Sequence, residues 1–564
     1  MSRMPTCCLL LMTALAWHAA PNAAAQERGE TPAPIIHSWP LQTLPPQVAP
    51  PQPAPISLGL PGAFRLGKDL IDLGPAAPME IMLADLNARG RNGPKPGPER
   101  VGLVRNFRDR PQPSIDRGDF AFFNLPDGRT LWTLAVNSSG SQGLRLHFTD
   151  VDLRGAECIV YGKTAPHGGV VARGPFTGKG PDGDEGPQSR RAGIGDPDGD
   201  FWTAYIPGQC AYIEVITRGG AQPSLTVTEI VHFDKHPGGS PPPPGSEDGG
   251  TNGSGVLPCH LDAMCNSETA AWAAARDATG QMNFVSGGAS LVCSGTLLND
   301  QDPDTAVPYF LTAYHCVNTQ AEVNSLEVVW FWQRDSCNGA LPDYNTLPRN
   351  TGGTLVASNP TSSGNDMSFI RLAGSLPGGI SLAGTTTATG ITGRGFHHPG
   401  GSWKRATFLS GVGVCPACLC VDSAFYDYYD MDNGLVEGGS SGSGIFNSSG
   451  QLAGQLLGRC WVGSTDNMDC SNLGDFWAEY GEFEETYPLI SYYLAVGGTM
   501  HVNWAALFDG NGTPFLPFKF VTTAHNAAWS GVHIKIATGS YNEALTLNKN
   551  VMLIADGGPV IIGQ

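Results

Sequence analysis

Apolar and polar residues alternate in short runs along much of this chain. Leu131–Val136, Leu144–Phe148, Tyr212–Ile216 and Leu225–Val231 place apolar side chains at every second position, as half-buried strands do. Cys158–Tyr161 is a shorter run, and stretches rich in Gly, Asp and Pro separate all of these. Further along, Tyr309–Ala313, Met367–Leu372 and Gln451–Leu457 are more continuously apolar, which suits strands buried on both faces. The pattern predicts an all-β chain. The glycine-rich stretch 178–199 opens no helix and carries no phosphate-binding lysine, so it reads as a loop.

Composition sharpens the division into domains. The chain has 564 residues, too many for one core, with 74 Gly, 45 Pro and only 15% charged residues. Residues 1–25 read as a signal peptide, with Arg3 before an apolar run and Ala23–Ala25 before a cut. That run is too short to span a membrane, so the expected location is secreted, either extracellular or periplasmic. Residues 26–56 are Pro-rich and 57–235 form a β-rich domain, read as a β-sandwich bridged by Cys158 and Cys210. The Pro/Gly stretch 236–255 reads as a linker, 256–495 as a second β domain and 496–564 as a small tail.

A net charge of −18 leaves no basic run to neutralise phosphates, so nucleic acid is not an expected partner. Cys7 and Cys8 fall in the signal, which leaves twelve of fourteen cysteines, an even number that predicts disulfides in an exported chain. Cys415, Cys418 and Cys420 lack a second ligand pair at finger spacing, so no metal and no cofactor are expected.

Three stretches carry the chemistry: Leu311-Thr-Ala-Tyr-His-Cys316, Gly364-Asn-Asp-Met-Ser-Phe-Ile370 and Gly438-Gly-Ser-Ser-Gly-Ser-Gly444. His315 follows an apolar strand, Asp366 opens one, and Ser441 lies in a glycine-bracketed turn between strand-like flanks. Such a serine needs a base, the base needs a group to fix its tautomer, and the oxyanion needs two donors. His315 is the expected base and Asp366 its partner, with Asp302, Asp304 and Asp343 as alternatives in polar loops. The amides of Gly439 and Ser441 are the expected oxyanion donors. The order His, Asp, Ser is that of the chymotrypsin-type serine peptidases.

The second β domain resembles the lysyl endopeptidase group of secreted bacterial trypsin-like peptidases over about residues 255–495. The likeness rests on Cys293-Ser-Gly-Thr-Leu-Leu297, Thr312-Ala-Tyr-His-Cys316, Phe396-His-His-Pro399 with Lys404-Arg405, Gly439-Ser-Ser-Gly-Ser443 and Gly454-Gln-Leu456. The resemblance implies a chymotrypsin-like double β-barrel and disulfides Cys265–Cys337 and Cys293–Cys316, with Cys259 joined to Cys460 or Cys470. It implies a secreted serine endopeptidase acting on proteins or peptides, with residues 57–235 as a pro-region. His397 and His398 are carried over as markers of the group and as a structural turn, not as catalysts. The group's lysine-selecting aspartate is matched by Ser471; Asp469 lies two residues away, and Glu437 is a second carboxylate near the expected pocket. No Lys or Arg occurs between Lys235 and Arg276, so self-cleavage after lysine just before Cys259 is excluded. The tail resembles the opening of a right-handed parallel β-helix, through Gly539–Glu543, Leu545–Lys549 and Val551–Ile554. The competing expectation is a secreted surface- or glycan-binding protein with an inert protease-like domain.

Overall fold

The computed structural model describes residues 37–564, apart from 39, 47–51, 61, 65–67, 93–96, 108–109, 165–168, 181–198, 240–255, 266–268, 301–305, 414–424, 462–468, 497, 529–531, 550 and 564. The expected signal peptide, most of the expected linker, Asp302, Asp304, Cys415, Cys418, Cys420 and the side chain of Cys460 lie outside the described residues.

Alternation becomes burial in the N-terminal domain. A six-stranded sheet carries Thr130–Asn137, Cys210–Thr217 and Glu157–Lys163 as antiparallel neighbours. Its inner face packs on Gly143–Asp152 and Ser224–Phe233 of a second sheet, burying Leu134, Val160, Ile213, Leu146 and Val227. Cys158 and Cys210 are both free thiols, which corrects the expected bridge. Register explains it. Cys158 stands opposite Val215, five positions along the strand from Cys210. At the rise of a β-strand that is roughly 17 Å, far beyond disulfide reach.

The second sheet does not end with this domain. Strand Glu99–Asn106 pairs with Ser224–Phe233 on one edge and with Ala289–Leu298 on the other, so one twelve-stranded sheet continues into the next domain. The seam is core-like. Val101, Trp202, Tyr205 and Phe233 bury with Val292, Trp332, Tyr344 and Trp403. The fully buried Arg145 lies 3.8 Å from Glu327, which also binds Arg349 at 2.7 Å. A buried carboxylate needs such partners, because alone its desolvation is unpaid.

Two barrels follow. In the first, Thr279–Ser286, Ala289–Leu298, Tyr309–Ala313 and Met367–Leu372 pair in antiparallel succession. Arg349–Thr351 pairs with Glu327–Val329, and after Gly352 the chain pairs with Met367–Leu372 as Gly353–Asn359, which closes the barrel. In the second, Arg405–Gly413, Gly393–His397, Gly444–Phe446, Gln451–Trp461, Phe476–Glu482 and Phe425–Asn433 pair in turn, and the last returns to the first. This is the expected chymotrypsin-like double barrel. Phe369, Phe396, Phe446 and Leu452 pack between the two.

Disulfides join Cys265 to Cys337, Cys293 to Cys316, and Cys259 to Cys470, so Cys470 and not Cys460 is the partner of Cys259. In the tail, Thr499–Val502, His533–Tyr541 and Met552–Ile562 form a parallel three-stranded sheet over Met500, Phe518 and Ile534. No helix among the described residues is long and apolar enough to cross a membrane.

Candidate active site

His315 stands just past strand Tyr309–Ala313, and Asp366 just before strand Met367–Leu372. These strands pair Ala313 with Met367, so the two side chains emerge side by side from one end of the ladder. His315 Nδ1–H donates to Asp366 Oδ2 at 2.7 Å, and the His315 amide donates to Oδ1 at 3.0 Å. The Thr361 hydroxyl donates to Oδ1 at 2.5 Å. With Nδ1 engaged, Nε2 is the ring nitrogen left for a nucleophile. Asp366 is fully buried and has φ of +58°, a left-handed conformation that Asp tolerates better than most residues. Its neighbour Asn365 holds that corner. Asn365 Nδ2 donates to Glu482 O and to Thr486 Oγ1, both at 2.7 Å, while Gln455 Nε2 donates to Asn365 O at 2.6 Å. The acid thus belongs to the first barrel and is moored to the second.

Ser441 arrives from the second barrel, in the turn before strand Gly444–Phe446. Gly442 has φ of +80° and presses on the histidine strand, where a Cβ would collide with Thr312 Oγ1 and the Ala313 amide. Ser294 N–H donates to Ser441 O, and Ser294 Oγ–H donates to Gly439 O, each at 2.9 Å. Gly439 has φ of +91°, with no room for a Cβ between His398 O and the Gly400 amide. The Gly439 and Ser441 amides donate to no acceptor among the described residues. Ser441 Oγ and His315 Nε2 share no hydrogen bond among the described contacts; such bonds often tighten only with substrate in place.

The remaining expected residues lie elsewhere. Asp343 caps the short helix Tyr344–Thr346. Asp469 and Ser471 share an exposed turn, where Asp469 Oδ1 accepts the Ser471 amide at 2.7 Å and its hydroxyl at 2.5 Å. Glu437 accepts the Leu257 amide at 2.9 Å and His260 Nε2–H at 2.8 Å, which ties the start of the protease domain to the serine turn. Burial opposes its charge, yet His260 and the Leu257 amide hold its carboxyl below the usual range. At the cleft rim, Gly97 O and Glu99 of the N-terminal domain lie against Gly438. Asn365 and Ser294 are not found from the sequence because their partners are remote, and Thr361, five residues before Asp366, lies in a turn with no strand pattern to mark it.

Two β-barrels that bring a histidine–aspartate pair up to a glycine-bracketed serine make this a serine protease of the chymotrypsin type. Among solved structures, the HtrA-type protease AlgW with a tripeptide is 15% identical with a TM-score of 0.28, and the overlap covers 40% of this chain and 63% of that one, less than two thirds of its length. A thermostable serine protease from an extremophilic microorganism is 14% identical with a TM-score of 0.27, covering 39% of this chain and 97% of that one. Residues 252–477 match the family model of the lysyl endopeptidase C-terminal domain. A lysyl endopeptidase of Pseudomonas aeruginosa is 28% identical over 424 residues, which span 71% of this chain and 83% of that protein. The chain is a lysyl endopeptidase-like protease, a serine endopeptidase.

Proposed function

We propose that this protein is a secreted endopeptidase that cleaves peptide bonds through an acyl-enzyme on Ser441. His315 Nε2 takes the Ser441 proton as Oγ attacks the carbonyl, then returns it to the leaving amine. Asp366 holds the Nδ1–H tautomer and offsets the imidazolium charge. The Gly439 and Ser441 amides receive the oxyanion. The observation that carries the reading is the His315–Asp366 pair, 2.7 Å apart at the end of the strand against which Gly442 packs. Three disulfides favour an extracellular or periplasmic site of action.

Cleavage after lysine is not strongly preferred in this reading. Ser471 holds the place of the group's selecting aspartate on an exposed turn, and Glu437 is already engaged by Leu257 and His260. Just upstream of the nucleophile, Leu435 is buried against Phe476, an apolar setting that disfavours an ammonium group.

A serine-directed phosphonate should label the wild type and not Ser441→Ala. Equal labelling of both, or none of the wild type, rejects the mechanism. A peptide library then reads the residue before the cut; strict cleavage after lysine rejects the specificity claim alone.

A further inference from the structure

The pair His397-His398 marks the lysyl endopeptidase resemblance and has no part in the mechanism above. Both side chains are fully buried. His397 ends strand Gly393–His397, which pairs with Gly444–Phe446, the strand that leaves the serine turn. Its ring bridges two segments of that turn's scaffold. Nδ1 lies 2.8 Å from Ser440 Oγ, and Nε2 lies 2.8 Å from Thr407 Oγ1.

Proton positions follow from the partners. Thr407 has one hydroxyl proton and donates it to Leu435 O at 3.0 Å. Its oxygen therefore accepts Nε2–H from His397. Ser440 Oγ accepts the Glu437 amide at 3.2 Å. Its own proton then goes to Nδ1. Each donor and acceptor is used once, and only the neutral Nε2–H tautomer satisfies them all. Burial beside His260, His398 and Arg405 also pushes the His397 pKa far down, which favours the neutral ring.

Ser440 stands between the two free amides, those of Gly439 and Ser441. Its φ and ψ set the direction of the Ser441 N–H and, together with those of Gly439, the angle between that N–H and the Gly439 N–H. Its backbone is held by Ser440 N–H to Glu437 O at 2.9 Å and Ser443 N–H to Ser440 O at 3.2 Å, and its uncharged hydroxyl is oriented from the His397 side by the bond to Nδ1.

We propose that His397 is a positioning residue: its neutral imidazole holds the Ser440 hydroxyl and thereby aims the Gly439 and Ser441 amides at the oxyanion. The proposal rests on the reading of Ser441 as the nucleophile. It assigns the formation of the oxyanion hole to a neutral bridge that is present before any cleavage of the chain.

The test uses the full chain carrying Ser440→Ala, His397→Leu, the double variant, and the milder Ser440→Thr and His397→Asn. Turnover, KM and the affinity of a peptide aldehyde, whose hemiacetal oxygen occupies the hole, are measured together. Ser440→Ala and His397→Leu should each lower kcat by about ten- to a hundred-fold, with KM unchanged and aldehyde affinity lowered in proportion. The double variant should lose no more than the worse single, because one bridge is broken either way. Ser440→Thr keeps the hydroxyl and His397→Asn keeps an acceptor, so both should recover part of kcat. If His397→Leu does not fold, Ser440→Ala, which removes a single oxygen, carries the result. Wild-type kcat and aldehyde affinity in Ser440→Ala, with only its melting temperature lowered, overturns the proposal; so do additive losses. Failure of phosphonate labelling at Ser441 in the wild type would instead overturn the underlying mechanism.

Discussion

His315 and Asp366 reach the cleft from the first barrel with an ionisable pair between them, whereas Ser441 comes from the second in a turn whose Gly439–Ser441 core is held by neutral hydrogen bonds. Asp366 gathers three donors: the His315 ring, the His315 amide and the Thr361 hydroxyl. Bonds to a carboxylate are short and individually strong, and they hold a non-glycine residue in a left-handed conformation. The serine turn has no such charge at its centre. Ser294 satisfies Gly439 O and Ser441 O, while Ser440 Oγ accepts the Glu437 amide and donates to His397 Nδ1. One side of the site is secured by the strength of a few bonds, the other by the completeness of many. The first should fail steeply when its charge is removed. The second should fail by small steps.

The largest effect belongs to the group in which both sides meet. Ser441→Ala removes the proposed nucleophile and should lower turnover on the order of 10⁶-fold without unfolding the chain. Assay of peptide hydrolysis beside a thermal melt checks this; turnover within tenfold of the wild type would remove Ser441 from the mechanism. Asp366→Asn comes next. It preserves shape but deprives Nδ1–H of its carboxylate, and a wrong tautomer should cost on the order of 10⁴-fold in kcat. Near-wild-type hydrolysis would mean that another acid serves and that the charged side is not as described.

Paired hydroxyl deletions sharpen the contrast. Thr361→Val takes one donor from a charged acceptor, Ser294→Ala one hydroxyl from a neutral network. Hydrogen bonds to charge are worth about 1.5–3 kcal/mol, so Thr361→Val should lower kcat by roughly tenfold or more. Ser294→Ala leaves Gly439 O and the His398 amide unsatisfied. It should cost about 1–3 kcal/mol of stability and only a few-fold in kcat. Steady-state kinetics and denaturant unfolding on both variants test the ranking, and a larger kcat loss in Ser294→Ala would reverse it.

What the sequence revealed follows the same division. The candidates His315, Asp366 and Ser441 are each marked in the sequence by an adjoining apolar run, and strand pairing places His315 beside Asp366. The apolar pattern alone predicts only an all-β chain; the two barrels follow from the resemblance to the lysyl endopeptidase group. The neutral supports carry no such mark. Ser294 and Gly439 are 145 residues apart, His397 and Ser440 43, and no local pattern announces a bond between a hydroxyl and a remote carbonyl. Cys158 and Cys210 were misread because parity counts cysteines without seeing register. The seam between the N-terminal domain and the first barrel was also hidden. Strand Glu99–Asn106 reads as an ordinary strand, and nothing in its pattern tells which sheet lies on its second edge.

The smallest effect on turnover is expected from Lys404, a buried group beyond the serine turn whose pKa is brought close to neutrality. Lys404 follows the His398–Ser402 corner, fully buried, with Nζ donating to Arg276 O at 2.7 Å and to Gln333 Oε1 at 2.9 Å. Burial outweighs the attraction of Asp277 and brings its pKa from 10.5 to about 7. The unfolded chain therefore binds a proton between about pH 7 and 10.5 that the folded chain does not. Stability should rise with pH across that window and become flat with respect to this group below it. Lys404→Met removes the titration. The wild type minus variant difference in unfolding free energy should therefore grow from pH 7 to pH 10, while kcat at fixed pH changes little, since Lys404 touches neither Ser440 nor the free amides. Denaturant unfolding at several pH values gives the slope. A difference that is flat or falls with pH would show that the buried ammonium keeps its charge, and that the neutral character of the serine side stops short of this corner.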